Sequence, residues 1–209
     1  MRRRVSLMLL LAGAIAYAHD QDEVSVKWFD EKPGAFVPLD VSFSAEQGEP
    51  TTLRSVLGAP TILTFVFYHC PDGCPLLQAK LATTLRSLPA RPGADYSVVT
   101  VSVDEKETSD QARASKQISM STLPKDFPET AWRFLTGGDR EIHELTDAVG
   151  FHFVPRGEDF DHPLGLVILS GSGKIIRYLR GSKFTAADIE QSLTEAAARQ
   201  VASARLPGT

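Results

Sequence analysis

The sequence predicts an α/β sandwich, a central mixed β-sheet flanked by helices. Three observations carry that expectation. Residues 61–68, TILTFVFY, form an unbroken run of β-branched and aromatic residues, the composition of a strand buried on both faces. Leucines then recur at helical spacing and a second valine-rich run follows, which makes a βαβ unit. Near the C-terminus, Ser170-Gly171-Ser172-Gly173 joins two further strand-like runs as a hairpin, and a last helix closes the chain.

Taken in order, the chain opens with Met1-Arg2-Arg3-Arg4, an apolar run from Val5 to Ala16, and Ala16-Tyr17-Ala18 with small residues at alternate positions. This pattern predicts a secretory signal peptide over residues 1–18, cut after Ala18. The uncharged run from Val5 to His19 falls short of the roughly 20 apolar residues a spanning helix needs. The expected location is the periplasm; an uncut signal would instead tether the domain to the outer face of the inner membrane. Residues 19–36 are polar and broken by Pro33 and Gly34, so they read as an extended surface lead-in. The domain itself is expected over 37–204, with 205–209 as a flexible C-terminus.

Within the domain, the strand at 61–68 is followed by Leu76, Leu77, Lys80, Leu81, Leu85 and Leu88 at helical spacing. Pro75 fits the first turn, where its missing N–H is not needed. Tyr96 to Val103 reads as a strand and Thr108 to Ser119 as a surface helix. Trp132 to Thr136 and Leu164 to Leu169 read as strands, Gly138 to Val149 as a helix, and Lys174 to Leu179 as the returning strand of the hairpin. Thr185 caps a last helix running to about Ala204, with Leu193, Ala196 and Ala197 facing inward.

Composition bounds the function. With 43% hydrophobic and 23% charged residues the chain is ordinary for a soluble globular domain. Its net charge of −4 grows more negative once Arg2, Arg3 and Arg4 leave with the signal, and no basic stripe exists. Nucleic acid is therefore not expected as a partner.

Chemistry concentrates at Cys70 and Cys74, the only cysteines, within YHCPDGCP. Export puts them where a disulfide can persist. A bridge across so short a loop would constrain the unfolded chain little, so a purely stabilising role is weak. At a helix N-terminus a thiolate is favoured by the helix dipole, which leaves both nucleophilic and metal-binding chemistry open. Two sulfurs four positions apart suit one ion when reduced and suit a disulfide when oxidised. Zinc in a structural site wants four protein ligands, whereas soft thiolates favour Cu(I) and an added imidazole accommodates Cu(II).

Five histidines are available. His19 begins the expected mature chain and defaults to a chance surface residue. His69 follows a strand and should point away from its neighbour Cys70. His143 beside Glu144 reads as solvated on its helix, and His152, between Phe151 and Phe153, as the polar face of a short strand. His162 differs: it stands in Phe160-Asp161-His162-Pro163 just before a buried strand that a parallel sheet could bring beside the first, with Asp161 available to orient its ring.

The stretches Pro50-Thr51-Thr52-Leu53, Ala59 to Pro75 (APTILTFVFYHCPDGCP), Val101-Ser102-Val103-Asp104 and Asp161-His162 resemble the Sco/SenC family of thioredoxin-like proteins, over roughly Val37 to Ser192. The resemblance implies a thioredoxin-like fold and one copper ion, Cu(I) or Cu(II). Its metal ligands would be Cys70, Cys74 and His162. It also implies a role in assembling the binuclear copper site of cytochrome c oxidase, whose copper-site subunit would be the partner. Asp72 and Asp161 match neighbouring family positions without a ligand role. The chain departs from the family at Glu105-Lys106, where proline is frequent, and at Pro163-Leu164-Gly165 after the histidine, as a divergent branch would. Pro163 also lies near the cis-proline position of thioredoxin-like folds.

Two functions follow. The first is a periplasmic copper chaperone. The second is a thiol-disulfide oxidoreductase in which Cys70 and Cys74 form the catalytic dithiol, acting on a copper acceptor or another exported thiol protein. Peroxide reduction ranks last, since only a generic redox loop is present.

Overall fold

The computed structural model describes residues 28–71 and 73–205. The expected signal peptide, His19, Asp72 and residues 206–209 lie outside them. In chain order the elements are β1 (Ser42–Ala45), β2 (Pro50–Thr52), α1 (Leu53–Val56), β3 (Thr61–Val66), α2 (Gly73–Leu85), β4 (Ser97–Ser102) and α3 (Ser109–Met120). There follow β5 (Trp132–Thr136), α4 (Asp139–Val149), β6 (Val154–Arg156), β7 (Asp159–Asp161), β8 (Gly165–Leu169), β9 (Ile175–Arg180) and α5 (Ala186–Arg205).

Seven strands form one sheet in the order β2-β1-β5-β4-β3-β8-β9. β3, β4 and β5 run parallel, while β8 is antiparallel to β3 and β9 to β8. The predicted mixed sheet is therefore the observed one, with β3 central and all six of its residues buried. Successive side chains alternate between its two faces. Ile62, Val98, Trp132, Phe134, Leu166 and Ile168 face a core built with Leu77 and Leu81 of α2 and Ile189 and Leu193 of α5. Leu63, Val99, Leu135, Val167 and Leu169 face the other core, with Ile142, Leu145 and Val149 of α4. Inside the first core the Trp132 indole N–H donates to Thr100 Oγ1 at 2.9 Å, so this large side chain is buried without an orphaned donor.

Helix ends follow their local chemistry. Thr108 caps α3 in a capping box with Gln111. Thr185 accepts from the Asp188 N–H while Asp188 accepts from the Thr185 N–H, the same reciprocal arrangement. Along α5, Leu193 and Ala196 are buried as expected, but Ala197 is exposed, because it falls off the stripe that Ile189, Leu193 and Ala196 present to the sheet.

The segment before β1 is not only a surface lead-in. Phe29 is buried and pairs with Phe151 through an isolated bridge, its ring edge-on to Phe151 at 5.4 Å and to Tyr178 at 5.7 Å. Gly150 makes this possible. It ends α4 with φ 64°, and a Cβ there would collide with the Asp30 carbonyl. The approach lets Asp30 N–H donate to Gly150 O at 2.7 Å.

Two hairpins do not follow the strongest sequence signals. β1 and β2 extend the sheet beyond β5, and β6 and β7 form a separate two-stranded ribbon. The ribbon turns at Gly157-Glu158 between the paired Arg156 and Asp159, with φ 68° at Gly157 and no positive φ at Glu158, as a type II′ turn requires. It ends at Asp161, one residue before His162.

Candidate metal centre

The centre forms where β3 ends and α2 begins. Phe67 continues the buried strand, and the Cys70 N–H donates back to Phe67 O at 3.2 Å, which turns the chain out of the sheet. α2 starts at Gly73, so Cys74 lies in its first turn while Cys70 stands outside the helix. The sulfurs therefore do not share a helix face as two helical residues four apart would. Instead the Cys74 N–H donates to Cys70 Sγ at 3.5 Å, making Cys70 an acceptor for one of the unpaired amides of the helix start. Cys70 is half-buried, Cys74 is buried, and both are free thiols.

From 88 residues further along, the ribbon delivers His162, whose Nε2 lies 3.3 Å from Cys74 Sγ. With metal–sulfur and metal–nitrogen bonds of about 2.3 and 2.0 Å, as zinc makes, two donors at a tetrahedral angle lie about 3.5 Å apart. The observed spacing is close to that of two ligands of one ion. The ring is boxed by Phe67, edge-on at 5.7 Å, and Phe151 at 5.9 Å. Its other nitrogen, Nδ1, lies 3.0 Å from the Pro163 carbonyl, which can only accept. Nδ1 thus carries the proton, and Nε2 turns a lone pair toward Cys74.

This corrects the orienting role expected of Asp161. Its carboxylate faces Arg156 at 3.4 Å, and the main chain of Pro163 holds the ring instead. The bond before Pro163 is trans.

Electrostatics at the pair also differ from the helix-terminus expectation. Burial pushes the Cys74 thiol well above its ordinary range, outweighing the lowering contact with the Phe67 main chain, and burial likewise lowers the His162 pKa. Near neutral pH the two are a thiol donating to a neutral imidazole rather than an ion pair. Such a site is poised for a cation: a metal that displaces the Cys74 proton finds a thiolate and an available imidazole already facing each other.

The remaining histidines are placed elsewhere. His143 is exposed, 3.3 Å from Asp139 and stacked on Phe153 at 5.0 Å. His152 is exposed and lies outside any strand, its N–H donating to Trp28 O at 3.0 Å. His69 is engaged by a residue that the sequence did not single out, Glu107. The Glu107 carboxylate accepts from the N–H of Tyr68 at 2.8 Å, the N–H of His69 at 2.9 Å, the Ser102 hydroxyl at 2.5 Å and His69 Nδ1 at 2.6 Å. His69 Nε2 reaches the Glu158 carbonyl at 3.2 Å in the turn of the ribbon. Burial alone would lower the His69 pKa, but these partners, Glu107 foremost, raise it. Donor atoms of His69, Asp104 and Glu107 lie within 4.8 Å of one another. With both Glu107 oxygens already accepting two hydrogen bonds, the cluster acts as a clamp on the chain entering Cys70 and on the ribbon carrying His162.

A cavity of about 720 Å³ opens over Cys70 and His162, walled by Trp28, Phe160 and Leu164 and edged by Arg156, Asp159 and Asp161. It gives Cys70 and the His162 imidazole an entrance from solvent.

The family model described as SCO1/SenC matches residues 32–198. The mitochondrial SCO1 homolog 1 of Arabidopsis thaliana is 25% identical over 166 residues, 76% of this chain and 47% of that protein, so the chain spans about half of that relative's length. Among solved structures, a candidate electron transfer protein from Aquifex aeolicus VF5 superposes with a TM-score of 0.72 at 26% identity, over 80% of this chain and 95% of that one. Arabidopsis thaliana ScoI with copper bound superposes with a TM-score of 0.64 at 23% identity, over 79% and 99% of the two chains. The fold is thioredoxin-like, and with four fifths of its length matched by the family model the chain belongs to the SCO1/SenC family.

Proposed function

We propose that this chain binds one copper ion through Cys70, Cys74 and His162 and serves the assembly of the copper site of cytochrome c oxidase from the periplasmic side of the membrane. The observation that carries the reading is the 3.3 Å approach of His162 Nε2 to Cys74 Sγ, with Nδ1 tied to a carbonyl so that the metal-facing nitrogen is the unprotonated one. A dithiol alone has no use for such an imidazole. Two soft sulfurs and one imidazole suit Cu(I) and accommodate Cu(II), while a structural zinc site would lack a fourth protein ligand. Family membership and the copper-bound relative point the same way.

Each residue has a distinct part. Cys70, half-buried at the cavity, meets the incoming ion first. Cys74 gives up its proton on binding, and His162 needs to release none. Binding should therefore release protons and strengthen as pH rises. The test is copper stoichiometry and affinity of the reduced protein, for wild type and His162→Ala. Positions that merely support a ligand cost about 10–100-fold when altered, so loss of a ligand should cost at least about 100-fold. Unchanged affinity and an unchanged Cu(II) spectrum in His162→Ala would defeat the assignment.

Among the described residues no helix is long and apolar enough to cross a membrane. Export with cleavage after Ala18 is part of the proposal and is tested by the N-terminal sequence of the protein recovered from cells. Retention of residues 1–18 would support the tethered form.

A second reading, thiol-disulfide exchange, rests on the asymmetry of the sulfurs: Cys70 is reachable and accepts an N–H from the helix start, whereas Cys74 is buried. Cys70 would attack and Cys74 resolve the mixed disulfide. Turnover that survives Cys70→Ser in a disulfide-reductase assay excludes it.

A further inference from the structure

The cavity over Cys70 and His162 is lined by three pieces of chain. The stretch from Phe67 to Gly73 brings Cys70, the stretch from Arg156 to Leu164 brings His162, and the third piece is a single residue, Trp28. Its main chain is fixed. Trp28 O accepts the His152 N–H at 3.0 Å, the neighbouring Phe29 is 7% exposed and bridged to Phe151, and the Asp30 N–H donates to Gly150 O. Phe29 packs edge-on against Phe151 at 5.4 Å, and Phe151 lies 5.9 Å from the His162 ring. The base of Trp28 is thus tied to the aromatic box that holds a candidate ligand. Its side chain is not held in this way. It is 37% exposed, and among the described residues its indole takes part in no hydrogen bond or ring pairing. The other tryptophan, Trp132, is fully buried with its N–H bonded to Thr100.

The cavity is larger than an ion requires. Its volume of about 720 Å³ lies within the range of pockets that take whole small molecules, about 300–1,000 Å³. Copper held by two sulfurs and one imidazole keeps an open side, where a soft ligand entering from solution, such as a free thiol, competes for it. We propose that Trp28 determines which copper ligands reach the metal: once copper is bound, its indole swings about the fixed main chain across the cavity and shuts out small molecules. The inference rests on the proposed function for the metal and its three ligands. Phe160 and Leu164 give the ring an apolar surface to settle on. Burying the exposed 37% of an indole of about 250 Å² is enough to favour the shut form by about tenfold or more. The turn that carries Cys70 and the ribbon that leads to His162 stay in place, because the swing is a side-chain rotation of the kind exposed residues make freely.

The test uses the reduced protein loaded with Cu(I) under anaerobic conditions, with bathocuproine disulfonate as the extracting ligand. Trp28→Ala should speed extraction by about tenfold, the advantage of the shut form, at unchanged copper stoichiometry. Trp28→Phe, which keeps a ring, should stay closer to wild type. A second readout follows the indole itself. In Trp132→Phe, where Trp28 is the one remaining tryptophan, emission should become harder for acrylamide to quench once copper is bound. Since Trp132 is fully buried, wild type should show the same trend. A residue that only braced the fold would show no such change on loading. Extraction at the wild-type rate in Trp28→Ala, acrylamide quenching unmoved by copper, or Trp28→Phe extracting as fast as the alanine variant would each overturn the inference. His162→Ala separates it from the metal assignment. Copper affinity unchanged in that variant defeats the proposed function and the gate with it, whereas affinity lost there with extraction unchanged in Trp28→Ala defeats the gate alone.

Discussion

Replacing Glu107 by alanine tests whether the loop entering Cys70 is held by one buried carboxylate. The side chain is 1% exposed and accepts four hydrogen bonds. Two of the four donors have alternatives: the Ser102 hydroxyl already lies 3.3 Å from the Asp104 carbonyl, and the His69 ring, 39% exposed, can turn to water. The Tyr68 and His69 N–H groups have none. At about 1–3 kcal/mol for each donor left unmade, plus the space vacated, the loss should be about 3–5 kcal/mol. Urea unfolding of the reduced, copper-free protein reads it as a lower midpoint at unchanged slope. Glu107→Gln keeps the volume and one acceptor oxygen, so it should lose less than the alanine variant and separates hydrogen bonding from cavity formation. Because the clamp also reaches the ribbon through His69, copper affinity should fall with stability in both variants. A loss below about 1 kcal/mol in Glu107→Ala would refute the clamp, since a single unmade buried hydrogen bond costs that much.

Three further outcomes are expected. Gly150→Ala should destabilise by about 1–3 kcal/mol, because the residue holds positive φ and a Cβ would meet the Asp30 carbonyl; a Tm equal to wild type counts against the role given to that turn. Leu81→Ala, in the core under α2, should cost about 2–5 kcal/mol in chemical denaturation, and a cost under 1 would mean that α2 is not anchored there. The third concerns pH. A histidine whose folded pKa is raised binds its proton more tightly when native, so His69 contributes stability that is full below the unfolded value of about 6.5 and lost as pH rises through the higher folded value. His162 has the opposite sign: its folded pKa is lowered, so it subtracts stability as pH falls below about 6.5. In copper-free protein, His69→Gln should therefore flatten the decline in urea midpoint between pH 6 and higher pH, and parallel profiles for variant and wild type would contradict the assignment.

What the sequence made legible was set by how many residues agree on one period. β3, β4, β5 and β8 are almost wholly buried and read as runs rich in β-branched, aromatic and aliphatic residues, and α2 announces itself by Leu77, Leu81 and Leu85. The β1–β2 and β6–β7 hairpins have three- and four-residue strands, too short for periodicity, and only Gly48 and Gly157 at their turns marked them. The site divides along the same line. Cys70, Cys74 and His162 are rare residue types in a recognisable setting, so the sequence could name them. Their arrangement depends on groups that are anonymous in a sequence: the Pro163 carbonyl that fixes the ring and the first-turn amide that meets Cys70. Glu107 is anonymous for a different reason. Read within Asp104-Glu105-Lys106-Glu107 it looks like one more solvated charge, and only the return of β4 alongside β3 turns it inward beneath the Tyr68-His69 peptide. The metal-facing atoms belong to three residues, but the distance between His162 and Cys74 is a property of the ribbon, the clamp and the strand end together. A change at Glu107 or Gly157 should therefore reach the copper site without touching a ligand.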